Sequence, residues 1–257
     1  MPWPERYSLC LISAAAPDTT VAAETAPLRK QRNMVTESRN VIAIIPMKPL
    51  SQGKSRLAQT LSAEQRADLA LGMLRRVILA IKAAAVDTVW VVGGDDRVRE
   101  LTRNLGAISV EELGEDLNDT LKKAFELAFE QGKSAMYVAG DLPLLKSADV
   151  HSMLQASRSR GNVTLAPARR DGGTNSILVP VGVPLQPELG QGSFMKHLTQ
   201  AARLETSVAI NSSQGLGFDL DVVDDLQTFQ HMEPGLLERL SEELKLLPID
   251  LDEDSGV

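Results

Sequence analysis

The fold is most strongly constrained by an unbroken apolar run, Val41–Ile45, which leads directly into a basic loop. Five consecutive apolar residues, most of them β-branched, predict a strand buried on both faces, which in α/β proteins is typical of the middle of a parallel sheet. The loop lies at the carboxyl end of this strand, where open α/β sheets bind their ligands. The run therefore predicts an α/β fold with a candidate binding site at one edge of its sheet.

The loop after this strand carries three cationic side chains within nine positions, Lys48, Lys54 and Arg56. Proline and glycine residues lie between them, so the backbone can bend toward a ligand. We therefore predict that the three side chains contact a polyanion such as a chain of phosphates. The alternative is that they are ordinary solvated charges beside a turn.

The sequence Gly53-Lys54-Ser55 is similar to the end of a P-loop, but its surroundings exclude that motif. A P-loop requires a glycine five positions before its last glycine, and Lys48 stands there. The amphipathic helix pattern also begins only near Ser62 instead of at the Lys-Ser pair.

Composition limits the classes of function. The chain has 257 residues, of which 43% are apolar, and a formal charge of −7, so it can fill a large core but has no general attraction for nucleic acid or an anionic membrane. The single cysteine, Cys10, excludes an internal disulfide and fits a reducing cytoplasm. No apolar run is long enough to span a bilayer. No feature predicts an oligomeric state.

Strand and helix patterns alternate from Val41 onward, which is typical of an α/β sheet. We predict strands at 41–45, 87–92, 107–111, 135–139, 162–166, 175–180 and 206–209, with a short one near 217–220. We predict helices at 62–83, 96–105, 117–132, 147–157, 192–203 and 222–245. We interpret 39–247 as a single domain, preceded by a disordered extension at 1–38 and followed by an acidic tail at 248–257.

Asp141 is a candidate metal ligand because an apolar strand delivers it to the carboxyl edge of the sheet. A carboxylate in this position can hold a hard divalent cation, and the preceding Gly140 would let a ligand approach the backbone. The alternative is a turn or helix N-cap aspartate, which is equally common after a strand.

A second acidic feature is the pair Asp219 and Asp221. Side chains two apart in an extended segment share a face, so both carboxylates point one way while Leu220 points toward the core. Without a cation these like charges repel each other, which favours a metal site. Two solvated aspartates at a sheet edge are the alternative.

Two glycine-containing segments, 169–176 and 190–197, predict a second anion pocket. The first offers Thr174 and arginine side chains, and the second opens a helix at which the amides of Gly192 and Ser193 would be free to bind an anion. Taken singly, a hairpin turn and plain helix capping explain these segments as well.

In chain order, the motifs PMKPLSQGKSRL, GDLPLL, DGGTN, GQGSFMKH and FDLD resemble the CofC/FbiD family of guanylyltransferases, which make the activated phospho-acid precursor of the deazaflavin coenzyme F-420. The resemblance spans 41 to about 230. It implies a single-domain nucleotidyltransferase fold, GT-A-like and Rossmann-like, with a mostly parallel mixed central sheet flanked by helices. It also implies Mg²⁺ as cofactor, GTP as donor, and 2-phospho-L-lactate, phosphoenolpyruvate or 3-phosphoglycerate as acceptor.

The resemblance assigns roles to nine residues of this sequence. The residues that match the metal-binding carboxylates of the family are Asp141, Asp219 and Asp221. The residues that match its contacts to the phospho-acid are Thr174, Gly190 and Ser193. The residues that fall on the loop facing the triphosphate, and would take part in catalysis, are Lys48, Lys54 and Arg56.

The sequence departs from the family pattern at two places. Val222-Val223 stands where Thr-Pro is usual after the aspartate pair, and Thr120 stands where the family's LNxAL segment has alanine. Neither change removes a charged ligand. Glycine residues 93–94 and Asn118 are plausible places for contacts to the base.

These features predict in-line attack by an acceptor phosphate on the α-phosphorus of GTP, without a nucleophile from the protein. A molybdopterin-type nucleotidyltransferase or a GT-A glycosyltransferase is the first alternative, since either would share the fold. A non-catalytic nucleotide-binding protein is the second alternative. Such a protein would need the phosphate loop but not the second anion pocket.

Overall fold

The structure is a computed structural model that describes residues 40–86 and 88–245. In this part of the chain seven strands form one sheet. They are β1 (Val41–Met47), β2 (Thr88–Gly93), β3 (Ile108–Val110), β4 (Ser134–Val138), β5 (Val163–Pro167), β6 (Thr174–Val179) and β7 (Val208–Ile210). Each strand lies within two residues of the bounds predicted from the sequence.

Helices separate most of the strands. They are α1 (Ala63–Ala83), α2 (Asp96–Asn104), α3 (Leu117–Glu130), α4 (Ser147–Arg160), α5 (Ser193–Arg203), α6 (Gln214–Gly217), α7 (Val223–Met232) and α8 (Leu236–Lys245). The loop after β1 contains two short 3₁₀ turns, Leu50–Gln52 and Ser55–Leu57. Ser62 caps α1 through a reciprocal pair of hydrogen bonds with Gln65, as the sequence predicts.

The strand order in the sheet is β3-β2-β1-β4-β6-β5-β7. Strand β6 is antiparallel to both of its neighbours, and the other strands pair in parallel. The mostly parallel mixed sheet predicted from the sequence is therefore confirmed. Because β6 runs in the opposite direction, its amino end meets the carboxyl ends of the other strands at one edge of the sheet.

The central strand β1 fixes where a ligand can bind. Its residues Val41–Ile45 are buried, as the apolar run predicts. The chain adds β2 and β3 on one side of β1 and then crosses to the other side to form β4. The loops after β1 and β4 therefore diverge at a topological switch point, which is where open α/β sheets form their binding crevice.

In a second apolar cluster, two loops at the carboxyl edge of the sheet pack against the last two helices. It contains Leu57 from the loop after β1, Leu220 from between the two aspartates, and side chains from three helices. The helical members are Leu69 and Met73 of α1, Phe229 of α7, and Leu236 and Leu240 of α8. The positions of the basic loop and of the aspartate pair therefore depend on how α7 and α8 pack.

Two of the predicted elements are wrong. The segment 217–220 is not a strand, because α6 occupies 214–217 and the following residues are extended without a ladder partner. The side chains of this segment still alternate in direction as predicted, since Phe218 and Leu220 both pack in one apolar cluster. The predicted helix 222–245 is two helices, interrupted by Pro234 and Gly235.

The predicted extension at 1–38 and the tail at 248–257 lie outside the described residues. None of the helices that the structure describes is both long enough and apolar enough to span a membrane.

Candidate active site

The loops after β1 and β4 open onto a cavity of about 590 Å³ at the carboxyl edge of the sheet. The cavity brings together five of the predicted site residues: Lys48, Lys54, Arg56, Asp141 and Asp221. Its remaining wall is formed by the segment after β3, residues 112–117. Three of these five residues come from the basic loop, which therefore lines the cavity.

Lys54 lies between two of the predicted metal ligands. Its Nζ donates to Oδ2 of Asp141 at 2.5 Å and to Oδ1 of Asp221 at 2.9 Å. Burial disfavours the ammonium, but the two carboxylates outweigh this effect, and so the pKa of Lys54 is raised. Lys54 also has a left-handed backbone with φ of 50°, which is uncommon for a residue other than glycine. The loop is therefore shaped to place one cation between two acids that are far apart in sequence.

Arg170 holds the aspartate pair from the other side. Its guanidinium forms ion pairs with Asp219 at 3.4 Å, Asp221 at 3.0 Å and Asp225 at 2.8 Å. Oδ2 of Asp225 also accepts from the backbone N–H groups of Asp221 and Val222 at 2.7 and 2.8 Å. Sequence reasoning missed Asp225, although its place in the first turn of α7, after an aspartate pair, is typical of a helix-capping carboxylate.

The two aspartates of the pair have opposite pKa shifts. Burial and the charge of Asp141 raise the pKa of Asp219. Burial also acts on Asp221, but Lys54 and Arg170 outweigh it and lower its pKa. Asp221 is therefore the aspartate of the pair whose negative charge the protein's own cations stabilise, whereas Asp219 is close to the like charge of Asp141.

The donor atoms suit a hard divalent cation. Asp141 and Asp221 offer carboxylate oxygens that converge on a single point, now taken by the Lys54 ammonium. Within 40–86 and 88–245, no three acidic, histidine or cysteine side chains are grouped closely enough to hold a metal ion by themselves. Mg²⁺ is commonly held by one or two carboxylates together with substrate phosphates, so two converging aspartates fit it.

The predicted phospho-acid residues form a second cluster. The hydroxyl of Ser193 donates to Thr174 Oγ1 at 3.2 Å, and the N–H of Ser193 donates to the carbonyl of Gly190 at 3.0 Å. The structure thus brings all three residues together. The expectation of a free amide at Ser193 is wrong, because the Gly190 carbonyl occupies it.

His197 directs the hydrogen bonds of this cluster and was missed by sequence reasoning. Its Nε2 lies 2.9 Å from the backbone N–H of Glu188 and must accept from it. Burial and the nearby Lys196 lower the pKa of His197 to about 4, so the ring is neutral at pH 7. Its proton is therefore on Nδ1, which donates to Thr174 Oγ1 at 3.0 Å. The spacing of Ser193 and His197, four residues apart on one helix, was the available signal.

Two residues make contacts that the sequence did not predict. Asn118 binds the backbone of Leu189, accepting from its N–H at 2.7 Å and donating to its carbonyl at 3.3 Å. It thereby holds the chain next to Gly190. Gly140 lines the cavity, where a ligand could approach it, and a Cβ there would also lie 2.7 Å from the sulfur of Met47.

A short segment connects the two clusters. Thr174 belongs to the phospho-acid cluster, while the next residue, Asn175, donates to Oδ1 of Asp219 at 3.3 Å and to the carbonyl of Leu216 at 3.0 Å. Arg170 approaches the acids from the same β5–β6 connection. The amino end of β6 therefore places the hydroxyl cluster directly beside the acidic cluster.

Comparisons with known proteins find similar sequences over most of this chain. The family model described as "Guanylyl transferase CofC like" matches residues 41–251. A phosphoenolpyruvate guanylyltransferase of Rubrobacter xylanophilus is 36% identical over 188 residues, which cover 73% of this chain and 92% of the relative. A 2-phospho-L-lactate guanylyltransferase of Methanothermobacter thermautotrophicus is 36% identical over 186 residues, covering 72% and 81% of the two chains.

Solved structures show the same fold at low sequence identity. A candidate nucleotide-diphospho-sugar transferase of Desulfovibrio desulfuricans G20 superposes with a TM-score of 0.65 at 17% identity, covering 80% of this chain and 94% of the other. A nucleotidyl transferase of Methanothermobacter thermautotrophicus gives a TM-score of 0.52 at 15% identity, covering 75% and 96%. The single α/β domain thus has the same fold as these two solved structures.

Proposed function

This chain belongs to the CofC-like guanylyl transferase family, and we propose that it transfers GMP from GTP to a small phosphorylated acid with release of pyrophosphate. Relatives named for phosphoenolpyruvate and for 2-phospho-L-lactate match the chain equally well, and both acids, with 3-phosphoglycerate, are candidate acceptors. The product would be the activated phospho-acid of coenzyme F-420 biosynthesis, made in the cytoplasm. The family match favours this function over a molybdopterin-type enzyme or a glycosyltransferase.

The observation that carries the proposal is the convergence of acids and cations on one cavity. Lys54 reaches Asp141 and Asp221 within 2.9 Å, and Lys48 and Arg56 line the same cavity. A nucleoside triphosphate with its metal presents both a polyanion and a cation, so it matches both kinds of side chain. Lys54, freed from the carboxylates by a divalent cation, would turn its ammonium to the phosphates.

Asp141 and Asp221 would hold Mg²⁺, with Asp219 beside them. The ion would neutralise charge on the phosphates of GTP. Arg170 and Asp225 keep the aspartate loop in place, and the buried Leu220 fixes the direction in which both carboxylates point.

The acceptor would bind at Thr174, Gly190 and Ser193. Because Thr174 Oγ1 accepts from Nδ1–H of His197, its own hydroxyl hydrogen is directed elsewhere and can donate to an anion. Thr174 thus supplies a hydroxyl donor suited to a phosphate or carboxylate, while the Ser193 hydroxyl donates to Thr174 Oγ1 and holds it in place. An acceptor bound at Thr174 would lie near Asp219, because Asn175, the next residue of the chain, donates to Asp219.

The reaction needs no nucleophile from the protein. An acceptor phosphate oxygen, already ionised near neutral pH, would form a bond to the α-phosphorus as the bond from that phosphorus to the bridging oxygen of pyrophosphate breaks. The contribution of the chain is to align the two substrates and neutralise their charge. This requirement explains why the site consists of cations, carboxylates and hydroxyls.

The test is a pyrophosphate-release assay with GTP and each of the three acids, singly and together, with and without Mg²⁺. We expect release only when nucleotide and acid are both present with the metal. Asp141→Ala should lower turnover by about 10²-fold or more without unfolding the protein. Asp68→Ala, which removes an exposed partner of Arg97, is the matched control. Near-native turnover of Asp141→Ala would refute the metal assignment, and the absence of any acid-dependent release would refute the proposed function.

A further inference from the structure

Basic and acidic side chains line different walls of the cavity. Lys48, Lys54 and Arg56 lie on the wall formed by the loop after β1, whereas Glu112 and its neighbours after β3 form an acidic wall. A carboxylate without a bound cation repels phosphates, so the acidic wall is unsuited to the triphosphate. A nucleotide has a matching polarity, because its base carries N–H donors at the end remote from the phosphates.

Glu112 is the oriented carboxylate of the acidic wall. Its Oε1 accepts from the hydroxyl of Thr120 at 2.5 Å, and Thr120 is only 1% exposed. Its Oε2 lies against the backbone of Gly93 at the carboxyl end of β2, where a Cβ would come within 2.6 Å of it. The side chain is thus held between a buried hydroxyl and a glycine, while its remaining lone pairs stay available.

The two other acids of this wall are not placed in the same way. Asp116 caps α3 by accepting from the N–H of Asp119 at 2.9 Å. The backbone N–H of Glu115 donates to Asp119. Glu112 and Glu115 are both exposed residues, but the carboxylate of Glu112 accepts from the buried hydroxyl of Thr120. Glu112, although exposed, is therefore the acid of this wall whose carboxylate is oriented at the cavity by a buried hydroxyl.

We propose that Glu112 selects guanine over adenine at this site, with Thr120 as its positioning residue. An ionised carboxylate only accepts hydrogen bonds, and it can accept two in parallel. The Watson–Crick edge of guanine carries two adjacent donors, N1–H and N2–H₂, that match it. Adenine has a hydrogen-bond acceptor at N1. This atom would face the carboxylate oxygens, which are acceptors too, so no hydrogen bond could form between them. Thr120 gives this chain a hydroxyl that orients the selector.

This inference deepens the proposed function and rests on its nucleotide donor, so it is tested by binding alone. Isothermal titration of GTP, ITP and ATP in Mg²⁺, without acceptor, should give tightest binding for GTP, weaker binding for ITP, which lacks N2, and weakest binding for ATP. Glu112→Gln should weaken GTP binding by about 10- to 100-fold and leave ATP binding unchanged or improved. The matched control is Glu111→Gln, whose side chain is 86% exposed and pairs with Arg99 at 3.8 Å.

Thr120 supplies a second, graded test. Thr120→Val removes the hydroxyl at nearly constant volume and should weaken GTP binding less than Glu112→Gln does, with ATP binding unaffected. Thr120→Ser keeps the hydroxyl and should restore the wild-type preference. A purely structural role would instead weaken GTP and ATP binding together and lower Tm.

Three results would overturn the inference. The first is a ratio of GTP affinity to ATP affinity that is unchanged in Glu112→Gln. The second is an equal loss of affinity for GTP, ITP and ATP in that variant, which would indicate a contact to the ribose. The third is a wild-type protein that does not bind GTP more tightly than ATP. The proposed function can fail separately. If binding is guanine-selective and depends on Glu112 but no acid yields pyrophosphate, the transfer reaction is refuted and the role of Glu112 stands.

Discussion

Lys54 shows how a single side chain can serve a site in two ways. Its ammonium separates Asp141 and Asp221, whose side chains are only 29% and 34% exposed, and so prevents two carboxylates from facing each other unpaired. The same group lies on a loop that lines the nucleotide cavity. We infer that Lys54 occupies the cation position until a metal takes it.

Lys54→Met is therefore expected to destabilise the metal-free protein. Loss of the ammonium leaves the carboxylates repelling each other, which should lower Tm in EDTA by roughly 3–8 °C, or about 1–2 kcal/mol, because the acids are partly solvated. Mg²⁺ should then raise Tm more in the variant than in the wild type. Thermal scans with and without Mg²⁺ measure both effects.

Lys123→Met is the control for this experiment, because Lys123 forms an exposed ion pair with Asp119 at 2.8 Å. It should change neither the Tm in EDTA nor the response to Mg²⁺ by a comparable amount. An unchanged Tm of Lys54→Met in EDTA would contradict the role of Lys54 as an internal cation.

His197 predicts a specific dependence of stability on pH. Its pKa is lowered to about 4 in the folded protein by burial and by Lys196, against 6.5 when unfolded. The unfolded state therefore binds the proton first as pH falls, so stability is fully present above pH 6.5 and is lost between pH 6.5 and 4. The difference corresponds to about 3 kcal/mol.

Urea denaturation at several pH values tests this prediction. His197→Asn cannot titrate and keeps a donor toward Thr174, so its unfolding free energy should fall less steeply than that of the wild type between pH 6.5 and 4. The variant also loses the acceptor for Glu188 N–H, which should raise KM for the phospho-acid more than KM for GTP. Parallel stability curves of the two proteins would contradict the assignment of His197 as a buried neutral ring.

Among the secondary-structure elements, α1 and α8 connect the core to the site. Gly72 of α1 lies against α8, and a Cβ there would lie 2.7 Å from the carbonyl oxygen and 2.9 Å from Cβ of Leu240. Leu240 in turn packs in the cluster that contains Leu57 and Leu220. Displacement of α8 would therefore disturb both the basic loop and the aspartate loop.

Gly72→Ala should destabilise the protein even though alanine is the better helix former by about 1 kcal/mol. The added methyl group must push α8 away from α1, so Tm should fall and KM for GTP should rise together. Thermal scanning and steady-state kinetics check the two effects. A higher Tm in the variant would show that the helix contact is looser than the structure indicates.

Sequence patterns predicted most elements because their signals are local. The capping box at Ser62 and the apolar run of β1 each depend on neighbouring residues, and both are confirmed. The segment 217–220 failed because alternation alone cannot show whether a partner strand is present. Its extended backbone instead meets the β4 loop, where the N–H of Leu220 donates to the carbonyl of Asp141 at 3.2 Å.

At the scale of the whole molecule, the functional residues are drawn from almost the full length of the described chain. The loop after β1 supplies Lys54, the acidic wall supplies Glu112, and the segment before α7 supplies Asp221. They meet because one sheet edge collects the carboxyl ends of six strands and the amino end of β6. The predicted family and fold are confirmed by the match over 41–251 and by the solved structures.

A chain that begins at Met34 is expected to fold and to keep its activity. Strand β1 and the family match both begin at residue 41, so every residue assigned to the site would be retained. Tm and GTP-dependent pyrophosphate release should stay close to those of the full chain. A chain that begins at Ile45 lacks most of β1 and should fail to fold. Loss of folding in the longer of these two chains would show that residues 1–33 belong to the domain.

The amino-acid sequence by itself determined the α/β class, the basic loop, the acidic candidates and the family, because strand burial, helix capping and ordered motifs are written in neighbouring residues. Only the tertiary structure decided the pairings: Lys54 with Asp141 and Asp221, Arg170 with Asp225, His197 with Thr174, and Thr120 with Glu112. These partners lie between 8 and 167 positions apart. The order and direction of the strands in the sheet set how close such residues lie in space. A local sequence pattern does not encode that order.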